Sequence, residues 1–357
     1  MATLRLRDRD AIITKEGLIF RVFGYSHPSD AYICNVEYVP AEIFKSKNPK
    51  AFRNKGQSVF YKFYEDEGWK FIKNNFPQHM IFLEMLRNNV VGVRRHNIMK
   101  VRRPSKELGK LINKEPKDEL LAALQNVLDL ATKHSGLSVK NFGVFGSLLH
   151  GFYHPKFSDI DLIIYGRKNV AKLRETLQEL YIDKHSLLNS EFQNDESIKG
   201  KNWRFQNYNP KEFVQHQQRK MIYALFNDKK SGRIIKTEFE PVKDWKEIKD
   251  KNLFGTKIVQ KGWVKLFAYV IDDQDALFIP SIYGVKPLKV LHGTNGAAEV
   301  TRVVSYMEEF RMQAQKDEEV YVEGNLEEVA TSKDSFHQIT LTYCPRYYEQ
   351  VLKATSV

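Results

Sequence analysis

The sequence predicts an α+β protein, a mixed-sheet core with helices set between two β-rich regions. Three observations lead there. Short apolar runs broken by turn residues fill residues 1–104, and a helix–strand–turn–strand–helix order fills 105–250. Alternating apolar and polar residues then return over 251–357. A chain of 357 residues accommodates two or three domains, so these blocks are the expected divisions: an N-terminal β-rich domain with a basic linker, a core, and a C-terminal β-rich domain.

Composition narrows the class. Hydrophobic residues at 42% and charged residues at 28% suit a packed globular chain, and no apolar run approaches a membrane span. The opening MATLRLRDRD is charged throughout, so no secretory signal is expected. Cys34 and Cys344 are too few and too far apart for a zinc site or a disulfide framework, which makes a reducing cytoplasm the expected compartment. Net charge is +12, and such an excess favours a polyanionic partner, nucleic acid first, over ordinary solubility charge. No membrane partner is expected.

In the first block, Ile12 to Gly24 reads as a hairpin turning at Lys15-Glu16-Gly17. Tyr32 to Val39 reads as another strand, stopped by Pro40. Glu65 to Asn75 reads as a short helix and Met80 to Leu86 as a second. Phe44, Phe52, Phe60, Tyr61, Phe63 and Tyr64 alternate with lysines and Arg53, a pattern that fits stacked bases and a plain aromatic core equally well. The basic linker follows, with a boundary at Pro104. Its Arg94, Arg95, Lys100, Arg102 and Arg103 are the leading candidates for nucleic-acid phosphate contact.

Asp118 to His134 is an amphipathic helix, with Leu120, Leu124, Val127, Leu128 and Ala131 on one face and Gly136 as its stop. It leads into NFGVFGSLLHGFYHPKFSDIDLIIY, residues 141–165, around which the chain is organised. Asp159 and Asp161 stand two apart in a strand and therefore share a face, while Ile160, Leu162 and Ile164 take the other. Two bare carboxylates this close repel, and a divalent cation relieves that cost; Mg²⁺ prefers such oxygens. Gly146 lets backbone approach a ligand, and Ser147 opens a short helix whose amides and hydroxyl suit phosphate oxygens. His150 and His154 have metal-pair spacing, but Gly151 and Pro155 break the helix between them, so they read as loop residues. Asn169 then caps a helix whose Val170, Leu173, Leu177 and Leu180 share a face.

Gly-Ser, a spacer, and Asp-x-Asp inside an apolar strand resembles the DNA-polymerase-β-type nucleotidyltransferase superfamily, and the flanking regions resemble archaeal proteins predicted to be nucleotidyltransferases. Asp159 falls twelve positions after Ser147, within the range of that pattern. The resemblance implies a polymerase-β-like core in which Gly146 and Ser147 hold a nucleoside triphosphate such as ATP. Asp159 and Asp161 then hold Mg²⁺, or Mn²⁺ in its place. It also implies a third carboxylate on a later strand. Glu238-Phe239-Glu240 resembles that element, with Glu240 favoured as metal ligand and catalytic group and Glu238 as the alternative; Glu stands where the commoner pattern has Asp.

Downstream, Gln193 to Tyr208 reads as a surface loop, and Asn209-Pro210-Lys211-Glu212 as a capped helix start. Arg219 and Lys220 on that helix are candidates for nucleotide phosphate, with a solvated face as the competing reading. Gly262 to Ile271, Glu319 to Val329 and Phe336 to Tyr343 read as strands, the last two as partners, and they resemble part of an OB-type barrel. The expected activity is metal-dependent transfer of a nucleoside monophosphate from an NTP to a hydroxyl, a nucleic-acid 3′ end and RNA above others. The alternatives are a catalytically silent nucleic-acid-binding scaffold on the same core, or a transferase acting on a protein or small molecule.

Overall fold

The computed structural model describes residues 4–357 apart from 65, 195–197, 200–201 and 250–255. Its contacts group the chain into two compact units, Met1–Val170 with Asp228–Leu253, and Ala171–Asn227 with Phe254–Val357. The units do not follow the three consecutive blocks read from the sequence: the first block and the front of the second share a unit. The expected boundary at 250/251 lies outside the described residues.

The first unit opens with an eight-stranded antiparallel sheet. Ala11–Thr14 and Ile19–Val22 form the expected hairpin, and Gly17 at φ +83° makes the turn that a side chain would strain. Ala31–Pro40 is the long central strand. Its core gathers Ile12, Leu18, Phe20, Val22, Tyr32 and Val93. A short helix runs Glu67–Asn75, and position 65, its expected start, lies outside the described residues.

Two expectations are corrected here. Met80–Leu83 is a strand, not a helix, because Ile81 and Leu83 alternate inward while pairing with Asn88–Arg94. The basic segment is no linker either. Ile98–Arg102 is a strand laddered to Ala11–Thr14, and Pro104, at the favoured first turn, starts helix Pro104–Ile112. That helix lies so close to strand Phe142–Val144 that a Cβ on Gly143 would come within 2.8 Å of Pro104. Of the aromatic–basic run, Phe63 is buried and stacks with Phe44 and Phe71, so part of it is core.

Helix Glu119–Ser135 is capped by the Asp118 side chain and ended by Gly136 at φ +63°. Beneath it lie three strands. Ile160–Tyr165 is central, antiparallel to Phe142–Val144 and parallel to Arg233–Val242. Ile160, Leu162 and Ile164 are fully buried, as are Phe142 and Phe239. Each such side chain contributes roughly 1.5–3 kcal/mol, which fixes the register of the acidic strand against its neighbours. The following helix, Arg167–Ile182, buries Val170, Leu173, Leu177 and Leu180 as expected. Asn169 is inside its first turn instead of capping it, donating to the Tyr165 carbonyl at 2.7 Å.

In the second unit, helix Pro210–Lys220 has the predicted capping box between Asn209 and Glu212. Strands Lys257–Asp275, Ser281–His292, Val300–Ser305, Ser335–Leu341 and Glu319–Ala330 are joined in that order. The last pairs back onto the first, closing a five-stranded ring, and Val351–Ala354 adds outside it. Only Val300–Ser305 and Ser335–Leu341 run parallel within the ring. The interior holds Val264, Leu266, Tyr283, Val303, Val322 and Ile339.

Candidate active site

The site is built on one face of the three strands of the first unit. Parallel pairing sets Asp161 directly beside Glu238, Ile163 beside Glu240 and Tyr165 beside Val242. Registered neighbours point the same way, so Asp161, Glu238 and Glu240 share a face. Asp159 lies just before the strand, which begins at Ile160, so the expected placement of both aspartates within one strand holds for Asp161 alone. That face changes character along its length. From Ile163 onward it is covered, with Ile163, Tyr165 and Val242 packed under Tyr25 and Phe145. Towards the strand starts it opens: Asp159 is exposed, and Asp161 and Glu238 are half-buried.

Glu240 belongs to the covered end. It is 1% exposed and ion-paired with Arg9, itself buried and 3.5 Å from Asp8. Arg9 holds φ +70°, unusual for a residue with a side chain, and its guanidinium lies over the Phe145 ring at 5.5 Å. The favoured Glu240 is thus held in a buried ion pair, and the register places the alternative, Glu238, half-buried beside Asp161.

Gly146 is required on two counts. Its φ is +59°, and a Cβ there would come within 2.2 Å of Asp161 Oδ2. The Gly-Ser turn and the carboxylate are therefore in direct apposition, with the Phe145 amide donating to the Asp161 carbonyl at 3.1 Å. Ser147 follows, half-buried, in the five-residue helix Gly146–His150. The loop from Gly151 to Asp159 is tied down by Arg233, which donates to the Pro155 carbonyl at 2.5 Å and the Ser158 carbonyl at 3.4 Å.

Burial, and then the neighbouring Asp159 carboxylate, push the Asp161 carboxyl up to about 7. Glu240 and Glu37 add to the rise and Lys62 opposes it. No hydrogen-bond donor reaches the Asp161 side chain among the described residues. A divalent cation is the kind of ligand that relieves repulsion between neighbouring carboxylates such as Asp159 and Asp161. Among the described residues no group of three or more His, Cys, Asp or Glu side chains stands already gathered for a metal.

Several other candidates prove to be structural fasteners. Arg94 pairs with Asp30, and Arg95 donates to the Ser29 and Leu4 carbonyls at 2.7 and 3.0 Å while lying over Tyr32. Arg102 donates to the His150 carbonyl at 3.0 Å, as Lys55 does at 2.9 Å. Arg103 donates to the Arg5 carbonyl and stands over Trp245. Only Lys100 of that set is exposed without a partner among the described residues. In the second unit, Arg219 pairs with Glu318, and buried Lys220 donates to the Glu309 carbonyl at 2.7 Å. His150 is a buried core residue, stacked on Phe152 and held neutral by burial and the nearby Arg102 and Lys55 charges.

Sequence reasoning missed Arg9, and took Lys62 only as one of the lysines of the aromatic–basic run. Lys62 shares a sheet face with Tyr38 and Phe60, which pack on Phe152, so it points towards the segment that follows the Gly-Ser turn. Neither residue carries a local signal, since Arg9 meets a glutamate 231 positions away.

Residues 127–240 match the family described as nucleotidyltransferase domain, a span that contains Gly146, Ser147, both aspartates and both glutamates. The chain is 28% identical over 335 residues to an uncharacterized protein of Methanocaldococcus jannaschii, covering 91% of this chain and 92% of that one. No solved structure matches. No helix among the described residues is long and apolar enough to cross a membrane.

Proposed function

From a chain that carries a nucleotidyltransferase domain, we propose an enzyme that moves a nucleoside monophosphate from an NTP to the 3′ hydroxyl of a nucleic acid, RNA above DNA. The hydroxyl oxygen bonds to the α-phosphorus, the bond from that phosphorus to the β-phosphate oxygen breaks, and pyrophosphate leaves. Gly146 and Ser147 receive the triphosphate, their backbone free to approach because Gly146 has no Cβ. Asp159, Asp161 and Glu238 hold Mg²⁺, which when bound supplies charge neutralisation for the triphosphate. Glu238, at the open end of the face, accepts the proton from the attacking hydroxyl. Arg9 keeps Glu240 out of that chemistry and fixes the strand that presents Glu238.

The observation that carries this reading is the apposition of Asp161 to both Glu238 and Gly146. The nucleic-acid acceptor is favoured by the +12 net charge. The C-terminal ring, in which the first strand meets the fourth and the third runs parallel to the fifth, supports an OB-type barrel as its class. The test is incubation of wild type and Asp161→Ala with each radiolabelled NTP, Mg²⁺ and short RNA or DNA strands. Incorporation by the wild type and none by the variant is the expected result. Normal incorporation by Asp161→Ala would remove this site from the reaction.

A further inference from the structure

The outer face of the C-terminal ring carries chemistry that the transfer site does not use. Along strand Lys257–Asp275, Val264, Leu266, Ala268 and Val270 point into the ring, so Lys265, Phe267 and Tyr269 point out. Pairing sets His292 beside Lys265, Lys289 beside Phe267 and Lys286 beside Tyr269. On the other side Tyr321 lies beside Phe267, the two rings 5.4 Å apart. Rings and cations therefore alternate across adjacent strands on one surface.

The charges on this surface are unequal. Lys265 is met by Glu323 at 2.9 Å. Lys286, Lys289 and His292 are exposed and have no acidic partner among the described residues. Between them Leu288 and Leu291, at the two register slips, are 54% and 48% exposed, apolar surface that folding has left uncovered. Acids bound the patch at its far end, where Asp317 accepts from the Tyr269 hydroxyl and Glu319 stands beside that ring.

The same segment has a backbone edge. Along Ser281–His292, strand Val300–Ser305 ladders only to Ser281–Gly284, so among the described residues 286–292 is paired on one side alone. An added protein strand is the obvious occupant of such an edge, but this one is guarded against it. Pro287 lacks a donor, Lys286 and Lys289 flank it, and the register slips next to Leu288 and Leu291. What remains suits a flexible chain of flat apolar faces and negative charges. A duplex offers its phosphates but hides its base faces, leaving the apolar run uncovered.

We infer that this face, formed by Phe267, Tyr269, Lys286, Leu288, Lys289 and His292, binds single-stranded nucleic acid, the bases on the rings and leucines and the phosphates on the cations. Six residue steps span about 20 Å, enough for a short run of nucleotides. The inference rests on the acceptor half of the proposed function and is silent on the transfer chemistry.

The test measures anisotropy of fluorescein-labelled 12-mers of oligo-U and oligo-dT with the full chain over a salt series, and a duplex of equal length serves as competitor. Lys286→Glu/Lys289→Glu should weaken binding at least tenfold and flatten the salt slope by about 1.4 for two lost phosphate contacts. Leu288→Ser/Leu291→Ser should weaken binding several-fold with the slope unchanged. Lys289→Gln alone, with half the slope change, serves if the charge reversal fails to fold. Wild-type affinity and slope in the lysine variants would overturn the inference, as would absence of binding by the wild type or equal binding of the duplex. Asp161→Ala should bind the 12-mers as the wild type does, so failure of this face and failure of the transfer site give different results.

Discussion

Two sets of carboxylates, one in each unit, are treated in opposite ways. In the C-terminal ring Glu323 is buried and receives Trp263 Nε1 at 2.8 Å, Asn207 at 2.9 Å, the Tyr321 hydroxyl at 3.1 Å and Lys265. Glu327, also buried, receives Gln260, Gln338 and Thr340 at 2.5–2.8 Å. Every carboxylate oxygen there has a donor, so these acids fasten strands together. In the first unit Asp161 has no side-chain donor among the described residues and a second carboxylate for company, and its carboxyl is raised to about 7. A fold tolerates a satisfied buried acid for its hydrogen bonds alone. A crowded, unsatisfied one costs stability and calls for a ligand that removes the cost.

Substitutions test that contrast. Asp161→Ala should lower incorporation of labelled nucleotide by at least ~10³-fold, about 4 kcal/mol of transition-state stabilisation, with melting temperature held or raised. It should also abolish any stabilisation of the protein by Mg²⁺ in a thermal-shift scan. A large loss of stability instead would place Asp161 with the ring glutamates.

Within the first unit the two glutamates should separate. Glu238→Gln should cut turnover by roughly 10²-fold and leave melting unchanged. Glu240→Gln, by weakening the match to buried Arg9, should cost up to about 3 kcal/mol of stability in urea unfolding. Reversal of those outcomes would return the third-carboxylate role to Glu240.

In the ring, Glu323→Ala should lose about 2–3 kcal/mol of stability by leaving the donors of Trp263 and Asn207 unmet, with turnover per folded molecule unaltered.

The smallest expected effect concerns Asp10. Burial raises its carboxyl to about 6, partly offset by the bond from the Arg7 amide and the Arg7 charge. The folded state therefore holds that proton more tightly than the unfolded chain does. Asp10 costs nothing below pH 3.8 and destabilises progressively as pH rises through 6, by no more than about 3 kcal/mol at neutral pH. Asp10→Asn should accordingly gain in melting temperature relative to wild type between pH 4 and pH 7.5, and a gap that shrinks with pH would contradict the assignment.

The contact between the glycine turn and Asp161 was legible because its parts are local. Gly146 and Asp161 sit within one strand–turn–strand passage, and a few residues of backbone bring them together. The caps at Asp118 and Asn209 were readable for the same reason. Met80–Leu83 was misread since four apolar residues fit either period until a partner strand declares itself. The basic run misled because an arginine spent on carbonyls looks, in sequence, like one offered to phosphate.

The sequence by itself determined that Asp161 stands beside the glycine turn, because strand and turn geometry acts over a few residues. Only the tertiary structure decided which glutamate is buried against Arg9, which arginines are occupied, and which face of the ring carries lysines without an acidic partner among the described residues. Each of those depends on a meeting between residues far apart in the chain, Arg9 with Glu240 above all, and burial and charge pairing are settled only when such segments pack.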